Sequence, residues 1–250
     1  VYPKKKLFPP SWRMMICIPS SITEVEKRAV RDSAEQAGAK EVYLIHEPMA
    51  AALGIGIDVE EPVGNMIIDI GGGTTGITVI ALAGIVCDQS IRIAGDEFTA
   101  DIMEALRRYH SLLIGERTAE QIKIQVGAAM KEIDNPPDAF PVNGRDLVTG
   151  IPKQIMVSYL EIAEALDKSI FKIEEAILKA LEQTPPELAA DIYRRGLYIT
   201  GGGALLRGLD KRLSNKIKLP VHVADDPLKS VVRGTGIALK NYDRYPFVMR

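Results

Sequence analysis

Apolar positions along this chain alternate between short unbroken runs and stripes of period 3.6, an order that predicts an α/β protein. Residues 13–18 (Arg-Met-Met-Ile-Cys-Ile) form a run stopped by Pro19, as a buried strand does. Thr23 with Glu26 reads as a capping box, so a helix follows with Val25, Ala29, Val30 and Ala34 on one face and Gly38 ending it. A strand at 42–45 and a short helix at 48–54 come next. Strand, helix and strand at this spacing imply a parallel pair with a right-handed crossover. Runs at 66–70, 76–81 and 85–93 predict three consecutive strands, and Asp96 opens a helix with the stripe Phe98, Ile102, Ala105, Leu106 and Tyr109. Over 112–157 the pattern weakens, with turns expected at 135–138 (Asn-Pro-Pro-Asp) and at Asn143-Gly144. Ser158 and Glu161 form a second capping box ahead of a long helix through Ala163, Leu166, Ile170, Ile173, Ile177 and Leu181, closed by Pro185-Pro186. Its stripe lasts fewer than four heptads, which favours a core helix over a coiled coil. Strand 197–200, helix 204–216, strand 221–223 and helix 228–239 complete the pattern.

Two glycine triplets, 71–73 and 201–203, each stand at the exit of an apolar strand, about 130 residues apart. Consecutive glycines bring unhindered N–H groups up to phosphate oxygens, although a plain tight turn has the same composition. Asp69 lies in an apolar strand, where a carboxylate is costly unless it faces an open site and a cation. Thr74 adds a hydroxyl at the far end of that loop. The second triplet lacks an acid and runs into Ala204-Leu205-Leu206, which suits an uncharged ring such as a purine. The first loop is therefore read as the phosphate holder and the second as the base holder. Glu120 and Lys123, one helical turn apart, form either a ribose acceptor beside a ring-flanking cation or a solvated ion pair worth a few tenths of a kcal/mol. Glu47, just ahead of Pro48, is placed to accept a proton from water, to cap the helix, or both.

The motifs together resemble the MreB family of bacterial actin homologues. The resemblance runs over about 13–241 and rests on Asp69-Ile70-Gly71-Gly72-Gly73-Thr74-Thr75, on His46-Glu47-Pro48-Met49-Ala50-Ala51-Ala52, on 115–123 (Gly-Glu-Arg-Thr-Ala-Glu-Gln-Ile-Lys) and on Thr184-Pro185-Pro186-Glu187-Leu188. It implies an actin-like ATPase (ribonuclease H-like) fold with two α/β subdomains and a small inserted one. The expected divisions are 1–62, 63–111 with 158–227, 112–157 as the insertion, and a C-terminal helix and tail at 228–250. The family's first phosphate hairpin, Asp-x-Gly-Thr, does not occur here, so the fold is expected to be incomplete at the N-terminus. The implied cofactors are ATP and Mg²⁺. Gly71, Gly72, Gly73 and Thr74 would hold the phosphates and Asp69 the magnesium through water. Glu120, Gln121, Ile122 and Lys123 would line the ribose and ring, and Gly201, Gly202, Gly203 and Ala204 the base. Glu47 and Thr74 would act on water in a slow hydrolysis. Leu7 and Phe8, beside three lysines, match the family's membrane loop, although alone they read as a tail. The implied partners are further copies of the chain, the inner face of the plasma membrane bordering the cytoplasm, and the cell-wall elongation machinery. A small-molecule kinase, a chaperone ATPase and a nucleotide-free interaction module are the other classes. His46 and Gly76 depart from the family, where Glu is common at both, and neither is expected to touch phosphate.

Charge and composition narrow this little further. With 31 basic and 33 acidic side chains, nothing favours nucleic acid held by counterion release. Cys17 and Cys87 lie in strand-like runs and read as buried free thiols. No apolar stretch approaches the roughly 18 residues of a spanning helix. His110 and His222 have no partners at metal-ligand spacing and read as structural.

Overall fold

The computed structural model describes residues 12–250. In chain order the elements are β1 (Trp12–Ile18), α1 (Glu24–Gln36), β2 (Ala39–His46), α2 (Glu47–Gly54), β3 (Asn65–Ile70), β4 (Thr75–Ala81), β5 (Gly84–Ile91), α3 (Gly95–His110), β6 (Leu112–Leu113), α4 (Glu116–Val126), β7 (Phe140–Asp146), β8 (Pro152–Val157), α5 (Tyr159–Gln183), α6 (Pro186–Arg195), β9 (Leu197–Thr200), α7 (Leu209–Ile217), β10 (Val221–Val223) and α8 (Ser230–Lys240). They divide into two compact units. One holds the described residues up to Pro62 with 81–85 and 229–250, the other 63–80 and 86–228.

In the first unit β1 and β2 pair in parallel, as the strand–helix–strand spacing predicts. The capping box is complete, with the Thr23 hydroxyl accepting from the Glu26 N–H at 3.3 Å and the Glu26 carboxylate accepting from the Thr23 N–H at 2.8 Å. The apolar stripe of α1 is buried over less of its length than expected. Ala34 and Val30 reach the cluster of Ile18, Ala39, Val42 and Leu44, while Ala29 is exposed and Val25 is 79% exposed. The stripe is longer than the cluster it serves. Helices α2 and α8 cross backbone to backbone: a Cβ on Gly54 would lie 1.8 Å from Ser230 O, and one on Gly234 1.7 Å from Ala50 O. Two glycines are therefore required there by contact alone.

The second unit is built on a five-stranded sheet in the order β10-β9-β3-β4-β5, in which β3 runs antiparallel to β4 and parallel to β9. Met66, Ile68 and Ile70 on β3 are fully buried with Phe98, Ile102, Leu106, Leu166, Ile170, Ile173 and Ile177. Each such side chain contributes about 1.5–3 kcal/mol. The stripe of α3 ends at Leu106, and Tyr109 is 55% exposed. Asn143-Gly144 is not a turn: the two residues pair with Gln154 and Lys153 inside the β7–β8 ladder. Gly144 is needed there because a Cβ would meet Leu112 Cγ and Leu113 O at 2.7 Å. The reversal comes later, where the Asp146 carboxylate accepts from the N–H groups of Val148 and Thr149. The box at Ser158 is half made, since Glu161 turns its carboxylate to His110 instead of the cap. Pro185-Pro186 ends α5 but also opens α6, a helix the sequence pattern did not announce, with proline pre-set for the first turn. The expected helix at 204–216 is broken into a 3₁₀ turn at 202–205 and α7, because Gly208 at φ +74° redirects the chain. Neither Cys17 nor Cys87 is in a disulfide, and both are only half-buried. Among the described residues no helix is long and apolar enough to cross a membrane.

Candidate nucleotide site

The parallel pairing of β3 with β9 sets Asp69 opposite Thr200, so both glycine triplets leave the same end of one sheet. Gly201 takes φ +79° and ψ 172°, a conformation open almost only to glycine. A Cβ there would stand 2.4 Å from both Asp69 Oδ1 and Ile70 O, and one on Gly203 2.2 Å from Ile70 Cγ2. The Asp69 carboxylate thus lies beside the backbone of the second triplet. That second loop is tied from behind, with the Gly201 N–H and the Thr200 hydroxyl both donating to Pro227 O at 3.1 Å.

The first loop is closed by its own backbone. Gly71 donates its N–H to Thr74 O at 3.0 Å, so of the four amides expected to hold phosphate Gly71's is engaged in the turn. Gly72, Gly73 and Thr74 are exposed. The carbonyls of Gly71 and Gly72 accept from the Gly95 and Asp96 N–H groups at 3.1 and 2.8 Å, which fastens the loop to the first turn of α3. Asp96, which sequence reasoning missed as a site residue, brings its carboxylate oxygens to 3.6 and 3.7 Å from where a Gly72 Cβ would be. The only local signal was a glycine immediately before the acidic start of a helix. Thr74 stands exposed, whereas its neighbour Thr75 is buried and donates to Ile93 O at 2.6 Å.

The pair on α4 matches neither alternative in full. Lys123 Nζ lies 2.6 Å from Glu120 Oε2, yet the lysine side chain is only 15% exposed and it also donates to Gly95 O at 2.7 Å and Thr99 Oγ1 at 3.0 Å. The Thr99 hydroxyl donates to Glu120 Oε2 at 2.9 Å. Burial alone would raise the Glu120 pKa, but the bonds from Lys123 and Thr99 and the lysine charge outweigh it and hold the group below its ordinary value. Gln121 is exposed, and Ile122 is fully buried in the core, so Ile122 is withdrawn from any ligand by the helical period. The C-terminus of α4 is clasped by the segment after the second triplet. Arg207 donates to Ile124 O and Gly127 O at 3.2 and 3.3 Å, and its own carbonyl accepts from the Ala129 N–H at 2.8 Å. Ala204 is buried and Gly202 exposed.

In the first unit, Glu47 is the first residue of α2. The cap position belongs to His46, which makes no side-chain cap bond, so the capping role expected of Glu47 is not what the helix start shows. Burial pushes the Glu47 pKa up. His110 Nε2 pairs with Glu161, His222 Nε2 lies 3.0 Å from Arg195 O, and among the described residues no group of three or more His, Cys, Asp or Glu is poised to hold a metal. Leu7 and Phe8 lie outside the described residues.

A family model described as MreB/Mbl protein matches residues 3–246. The chain belongs to the MreB/Mbl family. It is 48% identical to the cell shape-determining protein Mbl of Bacillus subtilis over 234 residues, 94% of this chain and 70% of that protein. It is also 48% identical to the cell shape-determining protein MreB of Escherichia coli K12 over 241 residues, 94% of this chain and 67% of that one. Among solved structures it resembles MreB5 of Spiroplasma citri bound to AMPPNP, with a TM-score of 0.88 and 40% identity over 92% of this chain and 68% of that one. A MamK double helical filament at 23% identity and a TM-score of 0.75 shares the fold. The fold is accordingly the actin-like α/β fold of the MreB/Mbl family, as the motifs implied.

Proposed function

We propose that the chain binds ATP with Mg²⁺ and assembles into filaments that organise cell-wall synthesis and maintain rod shape at the inner face of the plasma membrane. The observation that carries the nucleotide reading is the Asp69–Thr200 register, which delivers both triplets to the carboxyl ends of parallel strands, where α/β folds take their ligands. MreB5 structures bound to AMPPNP and to ADP, at 40% and 39% identity, support the same ligand class. The amides of Gly72, Gly73 and Thr74 hold the terminal phosphates. Asp69 holds Mg²⁺ through water, since magnesium dehydrates reluctantly. Half-exposed Glu120 accepts from the ribose with Gln121 beside it, and the backbone of Gly202 flanks the base. Titration calorimetry with ATP in the presence and absence of Mg²⁺ tests this: magnesium-dependent binding is expected, and no heat under either condition would end the nucleotide reading.

Hydrolysis is assigned to Glu47 as base, with Thr74 positioning the water. A carboxyl whose pKa is raised by burial is the better proton acceptor near neutral pH. Glu47→Ala is expected to retain ATP binding and to slow phosphate release by about 10²–10⁴-fold. Release at the wild-type rate would remove Glu47 from the chemistry. Shape determination follows the cell shape-determining relatives, and self-association and a link to the cell-wall elongation machinery extend that reading. Leu7 and Phe8 serve as the membrane contact, their burial contributing about 3–6 kcal/mol and each nearby lysine about 1 more on anionic lipid. Association itself costs several kcal/mol, so one subunit holds weakly and a filament strongly.

A further inference from the structure

Lys123 reaches the start of α3, which is fastened to the first glycine loop. Its ammonium has three donors, and Gly95 O, Thr99 Oγ1 and Glu120 Oε2 take them at 2.7, 3.0 and 2.6 Å. The peptide group that carries Gly95 O hands the contact on through its other end, the Asp96 N–H, which donates to Gly72 O, while the neighbouring Gly95 N–H donates to Gly71 O. No side chain fits at Gly95 without displacement, since a Cβ would lie 3.2 Å from Gly71 O and 3.4 Å from Lys123 Nζ. An unbroken series of hydrogen bonds therefore runs from the carboxylate of Glu120, through the ammonium and the α3 start, into the backbone of the loop. Series of this kind polarise one another, and here the middle member is largely shielded from water.

We propose that Lys123 is a positioning residue that couples Glu120 to the conformation of the Gly71–Thr74 loop, so that capture of the sugar and capture of the terminal phosphates reinforce each other. The proposal rests on the nucleotide reading above. A hydroxyl donating to Glu120 draws negative charge away from the oxygen that Lys123 and Thr99 share, and the ammonium then leans harder on Gly95 O, which tightens the α3 start against the loop. A lysine that flanked the ring would instead act on the ligand directly and leave the loop alone.

Amide hydrogen exchange on the ligand-free chain separates the two, read together with ATP affinity. In Lys123→Met, which keeps the stem and removes the donors, the Gly95 and Asp96 amides are expected to exchange about tenfold faster while core amides of α5 keep their rates, and ATP affinity is expected to fall about tenfold. Thr99→Val, which removes one bridging hydroxyl, is expected to move both readouts the same way by less, with Thr99→Ser restoring them. Unchanged Gly95 and Asp96 exchange, or faster exchange with unchanged ATP affinity, overturns the coupling. Where Lys123→Met does not fold, the Thr99 pair decides on the same criteria. If the unaltered chain binds no ATP, the nucleotide reading fails on its own and the exchange rates still show whether Lys123 holds the loop.

Discussion

The two glycine triplets are alike in sequence and opposite in use. In 201–203 the missing side chains are demanded by the protein: Gly201 and Gly203 press against Asp69 and Ile70 at distances no Cβ tolerates, and the loop is roped to Pro227. In 71–73 only Gly71 is crowded, and the missing side chains of Gly72 and Gly73 would meet almost nothing. A Cβ would find Thr74 O at 3.3 Å from Gly71, and only the Asp96 carboxylate, at 3.6 Å or more, from Gly72 and Gly73. Glycine that the fold does not need for packing leaves its N–H groups approachable, whereas glycine that the fold does need is a spacer between strands. The difference teaches that the second triplet brings β9 against β3 and thereby shapes the wall on which the first can work.

The sharpest way to break this comparison is Gly203→Ala. Overpacking against Ile70 is expected to destabilise the chain by about 3 kcal/mol, read as a lower urea midpoint with an unchanged slope. A wild-type midpoint would mean that the second triplet is no more packed than the first. Gly73→Ala is the counterpart. Its Cβ would meet only an Asp96 oxygen at 3.8 Å, so stability is expected to stay within about 1 kcal/mol while ATP affinity drops about tenfold, the new methyl standing where phosphate oxygens approach. If Gly73→Ala unfolds as readily as Gly203→Ala, the open and closed loops are not distinct.

The smallest effect comes from acid. The Glu120 carboxyl sits below its ordinary value near 4.5 because of Lys123 and Thr99, so its contribution is fully present above that value and is lost as pH falls through the lowered one. Below about pH 4.5 the first loop should loosen, seen as faster exchange at Gly95 and Asp96, with the bonds from Gly201 and Thr200 to Pro227 unaffected because none of their partners titrates. Loosening that begins near neutral pH would show that another group controls the loop.

Features carried by neighbours in sequence were legible in advance. The Thr23–Glu26 box, β1, β3 and the long α5 all depend on residues within a few positions of one another. The resemblance to MreB was legible for the same reason, since each of its motifs is a short segment. Misreadings fall where a distant partner decides. Gly144 looks like a turn residue until β6 is laid beside it, Glu161 looks like a capping partner until His110 arrives, and Val25 looks like core until the cluster under α1 proves too short.

The sequence by itself determined the α/β order, the two triplets, the acids at 47 and 69 and the pair on α4, because periodicity, capping and glycine freedom are local physics. Only the tertiary structure decided which glycines are spacers and which are open, that Gly71's amide is engaged, that Asp96 and Gly95 belong to the loop, and that Lys123 points into its support. Those outcomes rest on contacts of a few ångströms between segments as much as 130 residues apart, and chain connectivity sets no distance between such segments until strand register is chosen.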